Sequence, residues 1–147
     1  MPPQFGGNLT DWFVAWAGAN DADLSNLKLQ KLLYYGQGYH LGLRGSPLFD
    51  DPIEAWSHGP VVASVYHRFK QYGSGDIPAT DEFDFDCIDS PTTELLIRVW
   101  NTYGGFGAWR LRNMTHSEAP WKDHFTPNEQ SVVIPQDTMR AFFGTRV

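Results

Sequence analysis

Leu27-Lys-Leu-Gln-Lys-Leu-Leu-Tyr-Tyr-Gly-Gln-Gly-Tyr-His-Leu41, followed by Pro52-Ile-Glu-Ala-Trp-Ser-His-Gly-Pro-Val-Val-Ala-Ser-Val-Tyr-His-Arg-Phe69, is the part of the chain that decides its fold. Within the first run Leu29, Leu32, Leu33, Gly36, His40 and Leu43 recur at helical spacing, which predicts a long helix capped by Ser25 or Asn26 and stopped at Gly45. Its three glycines, Gly36, Gly38 and Gly42, should each cost about 1 kcal/mol relative to Ala. Close approach of a neighbouring helix would offset that cost and let Tyr34, Tyr35 and Tyr39 lie across the seam. This is the expected central helix.

The second run opens differently. Pro47, the Asp50-Asp51-Pro52 turn signal and the alternation Ile53-Glu-Ala-Trp56 predict a short strand or hairpin. Gly59-Pro60 then reads as a helix start with Pro at the first position. Val62, Val65, Tyr66, Phe69 and Tyr72 share one face of that helix, and Gly73 ends it.

Outward from these runs, Leu9 to Asn20 reads as an amphipathic helix with Thr10 as N-cap and Trp12, Phe13, Trp16 and Ala17 on one face. Ser74 to Asp89 turns to Gly, Pro and acid and reads as a long surface excursion. Ser90-Pro91 starts a helix carrying Leu95, Leu96, Val99, Trp100 and Tyr103, which Gly104-Gly105 closes ahead of a further segment, Phe106 to Thr115. His116 to Trp121 is expected to turn into a short helix, and Val132 to Pro135 leads into a C-terminal one with Met139, Phe142 and Phe143. With no linker, repeat or low-complexity tract, residues 1–147 read as one domain: mainly α, a compact helical bundle with a small β-hairpin or short strands, hence α+β.

Composition narrows the function classes. The chain of 147 residues is 41% apolar and carries six Trp, ten Phe and six Tyr, enough to bury roughly 70% of the surface of its unfolded form. The formal charge is −6 and the eleven Lys and Arg are scattered, which argues against a phosphate-backbone footprint and so against direct nucleic-acid binding. An acidic chain suits a basic protein partner instead. Cys87, the single cysteine, excludes an internal disulfide. The N-terminus has neither a basic nor an apolar leader segment, and no apolar run approaches the ~20 residues that span a bilayer. A cytoplasmic protein, away from membranes, is expected.

The candidate chemistry is sparse. His40, His58, His67, His116 and His124 form no metal-ligand spacing, and no metal or cofactor is expected. His58 with His116-Ser117-Glu118 could be arranged as base, nucleophile and orienting carboxylate. A histidine-dependent enzyme is therefore an alternative, although Gly59-Pro60 reads as a helix start and Ser117 is placed to cap the next turn. Asp84, Asp86 and Asp89 alternate, but Asp89 stands at the sixth position where a calcium loop needs Gly. Solvated acidic surface is the simpler reading. Most aromatics at helical spacing belong to the core. Trp56 and Trp109 are the ones expected to be partly exposed, as interface anchors are.

Three ordered blocks carry a family resemblance: Leu29-Gln-Lys-Leu-Leu-Tyr-Tyr-Gly-Gln-Gly-Tyr-His40, Pro47-Leu-Phe-Asp-Asp-Pro-Ile-Glu-Ala-Trp-Ser-His-Gly-Pro-Val-Val-Ala-Ser-Val-Tyr66 and Thr115-His-Ser-Glu-Ala-Pro-Trp121. Together they resemble the Panacea domain of SocA-like antitoxins, also met in phage-associated proteins of the GepA type. The likeness extends from about Leu9 to Phe143. Ser57 departs from the family where a basic residue is common, and Ala63 where Pro is common. The resemblance implies a mainly helical, non-enzymatic antitoxin of a toxin–antitoxin system, with a place in phage defence. It would neutralise a cognate protein toxin, encoded next to it, by direct contact. It also implies an alternative, an adaptor that delivers the toxin to an ATP-dependent cytosolic protease. The expected toxin contacts are Trp56, His58, Tyr66, Trp109, His116 and Trp121, with the acidic residues Asp81, Glu82, Asp84 and Asp86.

Overall fold

The computed structural model describes residues 6–79, 82–129 and 132–146. Helix α1 is Gly6–Ala19 and α2 is Asn26–Arg44. A hairpin of β1, Glu54–Trp56, and β2, Gly59–Val61, precedes α3, Ala63–Phe69. Helices α4, Ser90–Tyr103, α5, Ala108–His116, α6, Ala119–Lys122, and α7, Gln136–Gly144, complete the order. One continuous apolar cluster runs from Leu9 of α1 to Phe143 of α7.

The central helix forms as its sequence predicts. Ser25 Oγ accepts from the Lys28 amide at 3.2 Å, and Gly45, at φ +72°, donates its N–H back to the Leu41 carbonyl. Between these caps α2 is buried on nearly every side, with α7, α5, α4, α1 and α3 packed around it. The glycines divide by neighbour. A Cβ on Gly38 would stand 2.2 Å from the Phe143 ring, and one on Gly42 would stand 2.8 Å from the Phe143 backbone, whereas one on Gly36 would meet Leu48 at an ordinary 3.5 Å. The close approach is thus made by α7, at two of the three glycines. Phe143 in turn lies edge-on to Tyr34, Tyr35 and Tyr39, while Tyr35 stacks on Tyr103 of α4 at 3.8 Å.

Three boundaries differ from the sequence reading. Gly59-Pro60 does not open a helix: it forms β2, with Pro60 opposite Ala55 and Gly59 opposite Trp56. Gly59 sits at φ +111°, which fits a hairpin turn and not a helix start. Helix α3 begins three residues later, where the Val62 amide donates to Gln30 Oε1 of α2 at 2.9 Å. Its first-turn donor is satisfied from a distant element, a partner that local spacing does not reveal. At the other end, α1 starts at Gly6, so Thr10, fully buried, is inside the helix and does not cap it. Ser117 does not cap the next helix either; its hydroxyl donates to Met114 O at 2.8 Å and closes α5.

The hairpin is not isolated. Ala55 N–H donates to Val132 O and Ile134 N–H to Ile53 O, each at 2.8 Å, so the stretch before α7 lies along β1. The excursion after α3 is tied back by the Ile77 N–H to Leu24 O, and by Phe85 in a 3₁₀ turn, Phe85–Cys87, set edge-on against Trp12 and Trp16.

The glycine geometry makes a paired expectation for stability. Gly36→Ala should be neutral or stabilising by up to about 1 kcal/mol through helix propensity. Gly42→Ala forces a Cβ into backbone and should lose about 1–3 kcal/mol. Urea denaturation of both variants checks this; equal and small effects would mean that α7 does not sit so close.

Candidate interaction site

The site is built where the hairpin turn meets α5 and α6, above one residue of α2. Lys31 shares a helical face with Leu27, Tyr34 and Gly38 and is completely buried. Its ammonium reaches Pro60 O at 3.2 Å. A Cβ on Gly59 would clash with the Lys31 stem at 2.6 Å and with Thr115 Oγ1 at 2.9 Å, so only glycine lets the turn close over this side chain. Burial, assisted by the charge of Arg112, pulls the Lys31 amine from its usual 10.5 to about 7.

Helix α5 presents Trp109, Arg112 and His116 at i, i+3 and i+7, hence on one stripe. The Arg112 guanidinium lies 4.5 Å over the Trp109 ring, and the His58 ring stands 5.8 Å from that same ring. Trp109 is 57% exposed. His116 stacks face to face on Trp121 at 3.7 Å, and the Trp121 indole N–H donates to Trp56 O at 2.7 Å, which fastens α6 to β1. Desolvation first, then the charges of Arg112, Lys31 and His58, drive the His116 imidazole down to about 4. It is therefore neutral near pH 7.

On the outer side of the hairpin Trp56 meets Tyr66 edge-on at 4.9 Å, with its indole N–H held by Glu54 Oε1 at 2.9 Å. Below the stripe, Tyr34 and Tyr35 donate to the two oxygens of Glu118 at 2.9 and 3.0 Å. Burial raises the pKa of that carboxyl, against the opposing pull of the two phenols.

Six of the residues singled out in the sequence are thus gathered around the hairpin. Trp56 and Tyr66 are half-buried, His58 and Trp109 are exposed, His116 is half-buried and Trp121 is buried beneath the face. The acidic group lies elsewhere: Glu82, Asp84 and Asp86 are exposed, with Asp84 accepting from the Asp86 amide at 2.9 Å and the intervening Phe85 seated on α1. Asp81 falls outside the described residues. The proposed triad does not assemble as such, since His116 stacks on Trp121, Ser117 bonds to its own helix and Glu118 takes two tyrosines. Lys31 and Arg112 were not foreseen as site residues. The signal for Lys31 was a charged residue on an otherwise apolar helix face; for Arg112 it was the stripe shared with Trp109 and His116. Among the described residues no cluster of three His, Cys, Asp or Glu could hold a metal ion, and no helix is long and apolar enough to cross a membrane.

A mainly helical α+β protein with an aromatic and cationic hairpin face is the class that this geometry defines. Residues 29–122, well over half of the chain, match the family model described as antitoxin SocA-like, Panacea domain. The chain belongs to that family. It is also 47% identical over 57 residues to Antitoxin SocA of Caulobacter vibrioides (strain NA1000 / CB15N), a match that covers 39% of this chain and 30% of that protein. The chain therefore matches less than a third of the length of that curated relative. No solved structure matches.

The buried amine yields a pH expectation. Unfolded, Lys31 binds its proton up to about pH 10; folded, it releases it near 7. Between those values the unfolded chain holds more protons, so stability should rise with pH, by up to about 1.4 kcal/mol per unit, and be flat in this term below pH 7. Lys31→Met should remove that rise. Denaturant titrations of both proteins between pH 6 and 10 check it, and parallel curves would show that the amine does not titrate in this window.

Proposed function

We propose that this chain is an antitoxin that neutralises a cognate protein toxin by direct contact, meeting it with Trp56, His58, Tyr66 and Trp109. Membership of the SocA-like family supports the antitoxin role, and the curated relative is itself called an antitoxin. The observation that carries the choice of surface is Trp109, 57% exposed beside the exposed His58 while the other aromatics among the described residues are buried or half-buried. Solvent-facing Trp and Tyr, with Arg next to them, are the residue types that dominate binding energy at protein interfaces. His116 and Trp121 serve this face from below, by holding α6 against β1. The net charge of −6 adds long-range attraction for a basic toxin, and the exposed Glu82, Asp84 and Asp86 contribute to it. In this reading residues 1–147 act as one domain in the cytoplasm, and the toxin is encoded in the adjacent gene.

The test is co-expression of the adjacent gene's product with and without this chain, followed by co-purification. Restored growth with a stable complex is the expected result. Trp56→Ala with Trp109→Ala, in a protein that keeps its helical circular dichroism, should weaken binding by about 100-fold, or about 3 kcal/mol. Rescue without a complex would overturn neutralisation by binding, and an unchanged affinity in the double variant would move the contact surface elsewhere.

A further inference from the structure

The hairpin face gathers basic side chains on a chain whose net charge is −6. His58, Arg112, His116 and Lys31 converge on the Gly59-Pro60 turn, linked through the Trp109 ring, the Thr115 contact and the Pro60 carbonyl. Among the described residues the ion pair formed is Arg68 with Asp11, at 2.6 Å, on α3 and α1. Among the described residues no carboxylate stands within ion-pair distance of these four groups. Burial first, and then the neighbouring basic groups, Arg112 foremost, depress the His116 and Lys31 ionisations.

Hydrogen bonding points the same way. Arg112 Nη1 donates to Asn113 Oδ1 at 2.9 Å, but its Nε, although enclosed, has no acceptor. His116 Nε2, also enclosed, makes no hydrogen bond of good geometry, although the Ser57 backbone lies beside the ring. Two of the three enclosed and unsatisfied side-chain nitrogens or oxygens among the described residues therefore lie in this cluster. Native folds satisfy nearly all such groups, so each exception calls for an explanation. Because Nη1 is occupied and Nε is enclosed, Nη2 is the donor of Arg112 left for an external acceptor oxygen.

We propose that Arg112 and His58 form a receptor for a carboxylate, an Asp or Glu side chain of the toxin flanked by apolar residues that pack on Trp109. Lys31 and His116 lie beneath and shape the floor of the site. A protein carboxylate is favoured over a nucleic-acid phosphate for two reasons. The positive spot is rimmed by exposed aromatic surface, as protein anchor sites are, and the net charge of −6 repels an extended polyanion. A toxin that is basic overall accommodates one such acidic residue at its point of contact.

This inference rests on the proposed toxin binding, and its test separates the two. The probe is the adjacent gene's product, titrated by calorimetry against the wild type, Arg112→Gln, Arg112→Glu and His58→Ala. The expected losses of affinity are at least about 10-fold for Arg112→Gln, larger for Arg112→Glu, and a few-fold for His58→Ala. A scan of the toxin's surface Asp and Glu residues to Arg should yield one position that restores binding to Arg112→Glu and weakens binding to the wild type. If the wild type binds but Arg112→Glu, still folded, binds equally well, the carboxylate receptor is overturned and the binding role stands. If no charge reversal rescues, the receptor is likewise overturned. If the wild type does not bind at all, both readings fail. Arg112-dependent binding of duplex DNA in place of the protein would also overturn it.

Discussion

Burying α2 on nearly every side is the constraint on which the other elements depend. A helix satisfies its own backbone, so polar side chains enclosed with it must find partners elsewhere or cost about 1–3 kcal/mol each. Here most find them in the main chain of the segments packed around the helix. Gln30 supplies Oε1 to the Val62 amide while its amide nitrogen rests on Asn26. Gln37 accepts from the Leu48 and Phe49 amides and donates to Phe49 O, and Asn26 donates to Tyr66 O. Lys31 props the Pro60 carbonyl. Each of these polar residues thereby ties a neighbouring stretch of chain to the helix.

That arrangement explains what could be read from the sequence and what could not. The extent of α2 was legible because its caps are local: Ser25 and Gly45 act within three or four residues. The presence of a hairpin before α3 was legible from alternation and turn residues. The role of Gly59-Pro60 was not, because a Gly-Pro pair suits both a helix start and a strand, and the decision rests with Gln30, nearly thirty residues earlier, and with Ala55 across the ladder. The glycines show the same division. Their need for a close neighbour was evident from helix propensity, but only packing distinguishes Gly38 and Gly42, against Phe143, from Gly36, against Leu48.

The candidate site followed the same rule at the level of single side chains. Exposure of Trp109 could be inferred from a Gly-rich break before α5, and that of Trp56 from its place by a turn. That Trp121 is interior depends on its indole reaching Trp56 O and its ring stacking on His116, contacts between elements sixty-five and five residues apart in the chain. The charge balance was least legible of all. Lys and Arg are scattered in sequence, yet the turn, α2 and α5 bring Lys31 and Arg112 to one place. A net charge of −6 describes the chain as a whole; the local sign at the hairpin is opposite.

A support of this kind has a consequence for recognition. Binding energy is lost when side chains must be ordered at the moment of contact, by about 0.5–1.5 kcal/mol for each one immobilised. In this protein the face is set beforehand. The Arg112 guanidinium lies on Trp109, Trp56 is held by Glu54 and Tyr66, and the turn between them rests on a lysine that cannot move without opening the core. The Gly59 position is constrained by Lys31 and Thr115 and cannot accept a side chain, whereas the outward positions His58 and Trp109 are free to vary without disturbing the floor. Rigid interior and replaceable exterior are thus separated by a single layer, and in the proposed binding role a change of partner would require substitutions only on the outer side of it.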